Sequence, residues 1–326
     1  MRTEQCELEA LQSVKLDAGE IFSGSASGRK VNGFKEPSLY TPAVDDGYIF
    51  HESSRDVIVW LMDSSAPLYL FGPSGCGKTS LIRQLAAKLN YPVFSVCGHS
   101  RLEFPEMVGH LTVKDGNMAF QYGPLALAMK HGGLFLLDEI DLLDPATAAG
   151  LNAVLDGCPL SIPENNGEII IPHPLFRFAA TANTNGGSDR TGLYQGTLRQ
   201  NLAFMDRFWL CEVGYPTEAT ELDLLKGRAA DLPKDIRRKM VEFANSVREL
   251  FIGEVDGDSM GSIEVTFSTR TLLRWADLIV RFQPLSRQGI QPITYALDRA
   301  LGFRASPETR TVLHELSQRI FAVSDG

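Results

Sequence analysis

Gly72-Pro73-Ser74-Gly75-Cys76-Gly77-Lys78-Thr79 follows an apolar run at residues 67–71 and precedes an amphipathic one at residues 80–89. It fits G-x-x-x-x-G-K-[ST] in the setting that gives the pattern meaning, a strand before it and a helix after it. The glycines free the backbone to turn tightly, so that successive N–H groups and the positive end of the next helix converge on one point. A triphosphate is the anion such a cradle accepts. Lys78 is expected to reach the β- and γ-phosphates and the Thr79 hydroxyl to ligate Mg²⁺, with Pro73, Ser74, Cys76 and Ser80 completing the nucleotide-binding loop. The competing reading, a chance glycine-rich turn, needs strand, loop and helix to fall in register by accident.

The chain has 326 residues, 44% of them hydrophobic and 22% charged, which suits a globular nucleotide-binding core with a second, smaller domain. A formal net charge of −9 argues against a constitutive nucleic-acid coat, since phosphate backbones demand a basic footprint. No run approaches the ~18 apolar residues of a membrane span, and the N-terminus lacks a signal-peptide core, so a cytoplasmic protein without membrane contact is expected. Cys6, Cys76, Cys97, Cys158 and Cys211 show no C-x-x-C spacing and predict neither disulfides nor zinc. The six histidines show no ligand spacing either.

Residues 1–45 mix charge, Gly and Ser with little periodicity and read as an arm, flexible or partner-binding, with a short helix possible at residues 7–15. Residues 52–62 place Val57, Ile58, Trp60 and Leu61 on a helix expected to cover the adenine side of the site. Beyond the loop, residues 92–97 read as a buried parallel strand. Leu134-Phe135-Leu136-Leu137-Asp138-Glu139 repeats that pattern and ends in two carboxylates. Paired with the upstream loop this is a Walker B signature, with Asp138 holding Mg²⁺ and Glu139 polarising the attacking water. Asp141 and Asp144 are expected to cap the next helix, because Asp144-Pro145 is an N-cap followed by an N1 proline. A further strand at residues 176–182 ends at Asn183, whose amide can meet both γ-phosphate and water; a turn-forming Asn is the alternative.

Gly-Pro-Ser-Gly-Cys-Gly-Lys-Thr, Leu-Leu-Asp-Glu-Ile-Asp, Ala-Thr-Ala-Asn-Thr and Met205-Asp206-Arg207-Phe208 stand in the order found in AAA+ ATPases. The sequence resembles the MoxR branch, and within it the cobaltochelatase ATPase subunits of CobS type. Residues 180–184, 191–197, Asn201 and residues 205–207 carry that likeness. The resemblance covers residues 46–215 well, the remainder loosely or not at all. It implies an α/β fold, a P-loop AAA+ core at 46–215 with a parallel sheet flanked by helices and two inserted β-hairpins, then a smaller all-α lid at 216–326. The hairpins are read at residues 111–121 and 160–171 as strand, turn, strand; relatives direct such inserts toward a ring pore or substrate. The resemblance also makes Asn183 a sensor 1 and Arg207 an arginine finger acting on a neighbouring subunit, hence a homo-oligomeric ring, a hexamer; a surface or helix-ending salt bridge is the alternative for Arg207. Arg190 and Arg199 are weaker candidates at the same interface.

From Thr217 onward, residues 217–228, 233–251, 269–282, 293–301 and 307–321 read as amphipathic helices. An acidic glycine-rich loop at 253–261 fits no calcium-binding spacing. Arg270, at the start of the third helix, matches the sensor-2 position, with helix-surface charge as its alternative. The implied activity is Mg²⁺-dependent ATP hydrolysis that remodels or activates a partner complex, one carrying a von Willebrand factor A domain and, on the strictest reading, a cobalt-inserting chelatase. A nucleic-acid motor of restriction or mobile-element type is the alternative, disfavoured because the second hairpin offers Glu164 and Glu168 and no cation. A non-hydrolysing scaffold fits poorly with intact Lys78, Asp138, Glu139, Asn183 and Arg207.

Overall fold

A computed structural model describes residues 8–50, 52–114, 116–187, 194, 196–255 and 263–322. The chain begins with β1 (Ser13–Asp17), α1 (Ala18–Ser23) and β2 (Lys30–Phe34), and α2 (Ser54–Asp63) leads into β3 (Leu68–Phe71). Next come α3 (Lys78–Lys88), β4 (Val93–Cys97), α4 (Phe104–Val108), β5 (Gly109–Lys114), β6 (Asn117–Tyr122), α5 (Pro124–His131) and β7 (Leu134–Asp138). Short helices α6 (Pro145–Gly150) and α7 (Asn152–Leu155) precede β8 (Leu160–Ile162), β9 (Glu168–Ile170), β10 (Arg177–Ala182), α8 (Leu202–Met205) and β11 (Trp209–Glu212). The chain continues through α9 (Glu218–Arg228), α10 (Lys234–Val255), α11 (Thr269–Phe282), α12 (Pro292–Ala300) and α13 (Pro307–Ala322).

Five strands form one parallel sheet in the order β11-β3-β10-β7-β4. Their unbroken apolar runs have a direct cause, since both faces are covered. Along β7, Leu134 and Leu136 enter one hydrophobic cluster while Phe135 and Leu137 enter another on the opposite face. Strand β3 does the same, with Leu68 and Leu70 on one side and Tyr69 on the other. Because β3, β10 and β7 are neighbours, their carboxyl ends bring together the glycine loop, Asn183 and Asp138 from segments far apart in sequence. Open parallel sheets bind ligands at such ends.

The helices after β11 enclose a separate core around Phe243, Phe267 and Trp275. Leu272, Trp275, Ala276 and Ile279 of α11 are buried at i, i+3, i+4 and i+7, and the Ser268 hydroxyl caps the helix by accepting from the Thr271 N–H at 3.1 Å.

The N-terminal residues differ from the expected arm. Residues 13–17 are a strand, not part of a helix, and pair antiparallel with β2. Val31 and Phe34 are buried against the sheet domain, Phe34 N–H donates to the Leu89 carbonyl at 2.9 Å, and Asn90 Nδ2 donates to the Phe34 carbonyl at 3.1 Å. The arm therefore orders against its own chain.

Two hairpins leave the sheet domain, β5–β6 and β8–β9. A polar knot ties them together. Lys130 Nζ donates to Tyr122 Oη and to Glu168 Oε1, both at 2.9 Å, and Tyr122 Oη donates to Glu168 Oε2 at 2.6 Å. Val113 and Met118 near the first tip, and Ile169 and Ile171 on the second hairpin, remain exposed.

Candidate active site

The loop after β3 is held open by backbone geometry that side chains would spoil. Gly75 and Gly77 have φ of 75° and 105°, in the left-handed region where a Cβ is strained. Lys78 opens α3 and is buried; its Nζ donates to the carbonyls of Gly72 at 2.8 Å and Pro73 at 3.1 Å, and to Asn183 Oδ1 at 3.2 Å. Burial pulls the Lys78 pKa down from the usual lysine range. Burial likewise pushes the Cys76 thiol up, which leaves it a packing residue of the loop.

Thr79 Oγ1 donates to Asp138 Oδ1 at 2.8 Å, and Thr181 Oγ1 contacts the same carboxylate from the neighbouring strand. These are hard oxygen donors, and among the described residues no group of three or more His, Cys, Asp or Glu side chains could hold a metal unaided. A hydroxyl and one carboxylate fit Mg²⁺, which keeps waters and substrate phosphates as its other ligands. Glu139 follows in the left-handed region, with φ 58° and ψ 44°, a conformation that costs a non-glycine residue about 1 kcal/mol or more. Its N–H donates to Thr181 Oγ1 at 3.2 Å, and its Oε2 lies 3.6 Å from the Cys97 Sγ at the end of β4.

Ser74, Gly75, Lys78, Asp138, Glu139, Asn183 and Arg270 line one pocket. Arg270 reaches it from the lid. The contact is close, because a Cβ added to Gly75 would stand 2.6 Å from the Ser268 Cβ and 3.5 Å from that of Arg270. A second cavity of about 530 Å³ adjoins the loop and is lined by Tyr48, Ile49, Gln84, Leu224 and Leu273 among others. It has the size and the apolar lining that a nucleoside needs. Residues of the segment 45–49 line it, whereas no residue of α2, the helix expected to cover the adenine side, does.

Arg207 lies apart from this pocket. Its Nε and Nη2 bind Asp156 at 2.8 and 3.1 Å on the surface. Arg199 is exposed, while Arg190 and most of residues 191–197 fall outside the described residues, as do residues 256–261 of the acidic loop. Asp144 caps α6 as expected, accepting from the Ala146 N–H at 2.8 Å. Asp141 does something else. It is fully buried, and its Oδ2 accepts from the N–H groups of Asn183 at 2.9 Å and Thr184 at 3.0 Å. It braces the strand end that presents Asn183, a role hidden in sequence because the partners are 42 and 43 positions away. Burial raises its pKa above the usual carboxylate range.

Residues 67–208 match the AAA domain of the dynein-related subfamily, and residues 221–320 the CbbQ/NirQ/NorQ C-terminal domain. The chain is similar to the aerobic cobaltochelatase subunit CobS of Sinorhizobium sp, at 30% identity over 280 residues covering 83% of this chain and 82% of that one. It is also similar to protein NorQ of Paracoccus denitrificans, at 26% identity over 278 residues covering 84% and 94% of the two chains. Among solved structures, the RuvB Holliday junction branch migration motor of Thermotoga maritima matches with a TM-score of 0.46 at 14% identity, covering 83% of this chain and 75% of that one.

Proposed function

The chain belongs to the MoxR branch of the AAA+ ATPases, with CobS- and NorQ-like relatives, and on that premise we propose that it couples ATP hydrolysis in a homo-oligomeric ring, a hexamer, to remodelling or activation of a partner protein complex. Hydrolysis of ATP to ADP and phosphate follows from the family. The observation that carries the residue roles is the single pocket lined by Lys78, Thr79, Asp138, Glu139, Asn183 and Arg270.

Residues 72–80 bind the phosphates through backbone N–H groups, and Lys78 exchanges part of its contact with loop carbonyls and Asn183 for phosphate oxygens. Thr79 and Asp138 would hold Mg²⁺, which neutralises charge on the phosphate oxygens when bound. Glu139 takes the proton of the attacking water, and Asn183 orients that water and the γ-phosphate. Arg270 adds positive charge from the lid. Arg207, half-buried and outside its own pocket, serves the pocket of a neighbouring subunit, where charge developing on the phosphoryl group needs a guanidinium. By analogy with CobS, the partner is a protein with a von Willebrand factor A domain in a cobaltochelatase-type metal-insertion complex.

Glu139→Gln tests this. The variant is expected to bind ATP with near-normal affinity and to lose at least about 100-fold in kcat. With ATP it should hold a von Willebrand factor A protein from native extract, whereas Lys78→Ala should not. Turnover at the wild-type rate would remove Glu139 from its assigned role; a nuclease or nucleic acid captured in that protein's place would overturn the remodelling function.

A further inference from the structure

Lid residues that contact no nucleotide in the scheme above converge on one buried ion pair. Glu221 on α9 is fully buried, and Arg248 on α10 grips both of its oxygens, Nη2 to Oε1 at 2.7 Å and Nη1 to Oε2 at 2.9 Å. Thr269 Oγ1 donates to the same Oε1 at 2.7 Å, and Arg248 Nε donates to the Phe267 carbonyl at 2.7 Å. Residues 267–269 are thereby tied to one carboxylate–guanidinium pair, and the next residue is Arg270.

The other face of the pair points at the phosphate loop. The Arg248 guanidinium carbon lies 4.3 Å from the ring centroid of Tyr215, and Tyr215 Oη donates to the Ser74 carbonyl at 3.3 Å. Ser268, between the two tied residues, stands where a Cβ on Gly75 would collide. One arginine therefore supports two contacts made against the loop, that of Ser268 at Gly75 and that of Tyr215 at Ser74.

Stability alone is a poor reason for such an arrangement. Two charges taken out of water lose hydration that their attraction barely recovers, and apolar residues of similar volume hold a core as well. What a bidentate fork supplies is direction, since it fixes the planes and the angle of both partners.

We propose that Arg248, oriented by Glu221, is the positioning residue that sets Arg270 against the phosphate loop. Thr269 fixes the first turn of α11 on one side, and Tyr215 fixes Ser74 on the other. The lid cannot tilt with both contacts seated, so lid angle and Arg270 placement move as one variable. The inference rests on the reading of Arg270 as a phosphate contact.

Arg248→Ala would strand a buried carboxylate and can unfold the lid, so two milder variants carry the test. Thr269→Val keeps the branched side chain and loses the bond to Glu221; Tyr215→Phe keeps the ring beneath Arg248 and loses the bond to Ser74. Each is expected to lower kcat for ATP by about threefold to tenfold, the usual weight of one hydrogen bond, with KM changed less than about twofold. In an Arg270→Ala background neither should lower kcat further, because the group they position is gone. A purely structural role would lower the melting temperature and leave kcat per folded molecule intact; that result, wild-type kcat in Thr269→Val, or a further loss of kcat in the Arg270→Ala background overturns the positioning role alone. Wild-type kcat in Arg270→Ala overturns the phosphate-contact reading as well.

Discussion

Replacing Asp141 by alanine removes the acceptor that holds the strand end bearing Asn183. Two buried N–H groups, of Asn183 and Thr184, lose partners at 2.9 and 3.0 Å, and the Thr184 hydroxyl loses one at 3.3 Å. A buried donor left unpaired costs about 1–3 kcal/mol, so the two backbone groups alone imply about 2–6 kcal/mol. Two effects offset part of this. The carboxylate is itself costly to bury, as its raised pKa indicates, and its Oδ1 has no hydrogen-bond partner among the described residues. A water entering the space can also satisfy one donor. The net expectation is a loss of about 2–4 kcal/mol. At about 2–4 °C per kcal/mol for a domain of this size, the sheet-domain transition should fall by roughly 4–16 °C in calorimetry. The kcat for ATP should fall by about tenfold or more as the amide of Asn183 drifts. Asp141→Asn retains an acceptor for both N–H groups and should keep most of the stability. Asp141→Ala with unchanged melting and unchanged kcat would refute the reasoning, and so would an Asn variant as damaged as the Ala one.

Gly75→Ala places a Cβ at φ 75° and 2.6 Å from the Ser268 Cβ, so the lid should be pushed off the loop and the Kd for ATP should weaken by at least about tenfold, read by titration calorimetry. Glu264 accepts from Thr309 Oγ1 and the Ser306 N–H, both at 2.6 Å, and these bonds hold its pKa near 2, below its ordinary 4.5. A depressed carboxylate stabilises the fold above pH 4.5 and loses that effect as pH falls toward 2; melting of the lid should therefore drop across that window, and drop less steeply in Glu264→Gln. Arg207→Ala gives up a solvent-screened pair with Asp156 and a bond to the Ala203 carbonyl, so melting should change little. Its kcat should nonetheless fall at least about 1,000-fold, and adding a Lys78→Ala subunit with intact Arg207 should restore part of the activity of the Arg207→Ala pocket beside it.

The glycine loop, the strand ending in Asp138 and Glu139, and the strand ending before Asn183 were legible because each is a local pattern, an apolar run with its polar terminus a few residues away. The lid helices were legible for the same reason, with helical period and proline starts marking Lys234–Val255 and Pro307–Ala322. What local reading missed depends on distant partners. Asp141 looks like a cap beside Asp144, and only the fold puts the Asn183 N–H over it. Glu221 and Arg248 sit on different helices 27 positions apart, and nothing in either helix marks them as a pair. The strand at 13–17 had a usable signal, since Val14 and Leu16 alternate with Ser13, Lys15 and Asp17. It was obscured because the link to β2 contains a helix, α1, in place of a tight turn.

The knot of Lys130, Tyr122 and Glu168 has a mechanical consequence. Two levers pinned by one rivet cannot be worked separately: deflecting the tip at Val113 must either carry the second hairpin along or shear the contact with Glu168. The rivet is set in α5, and only Gly132 and Gly133 separate that helix from the strand that ends in Asp138. A load taken up at either tip is thus delivered to the root of the strand that ends in Asp138, across the eight residues of α5 and two glycines.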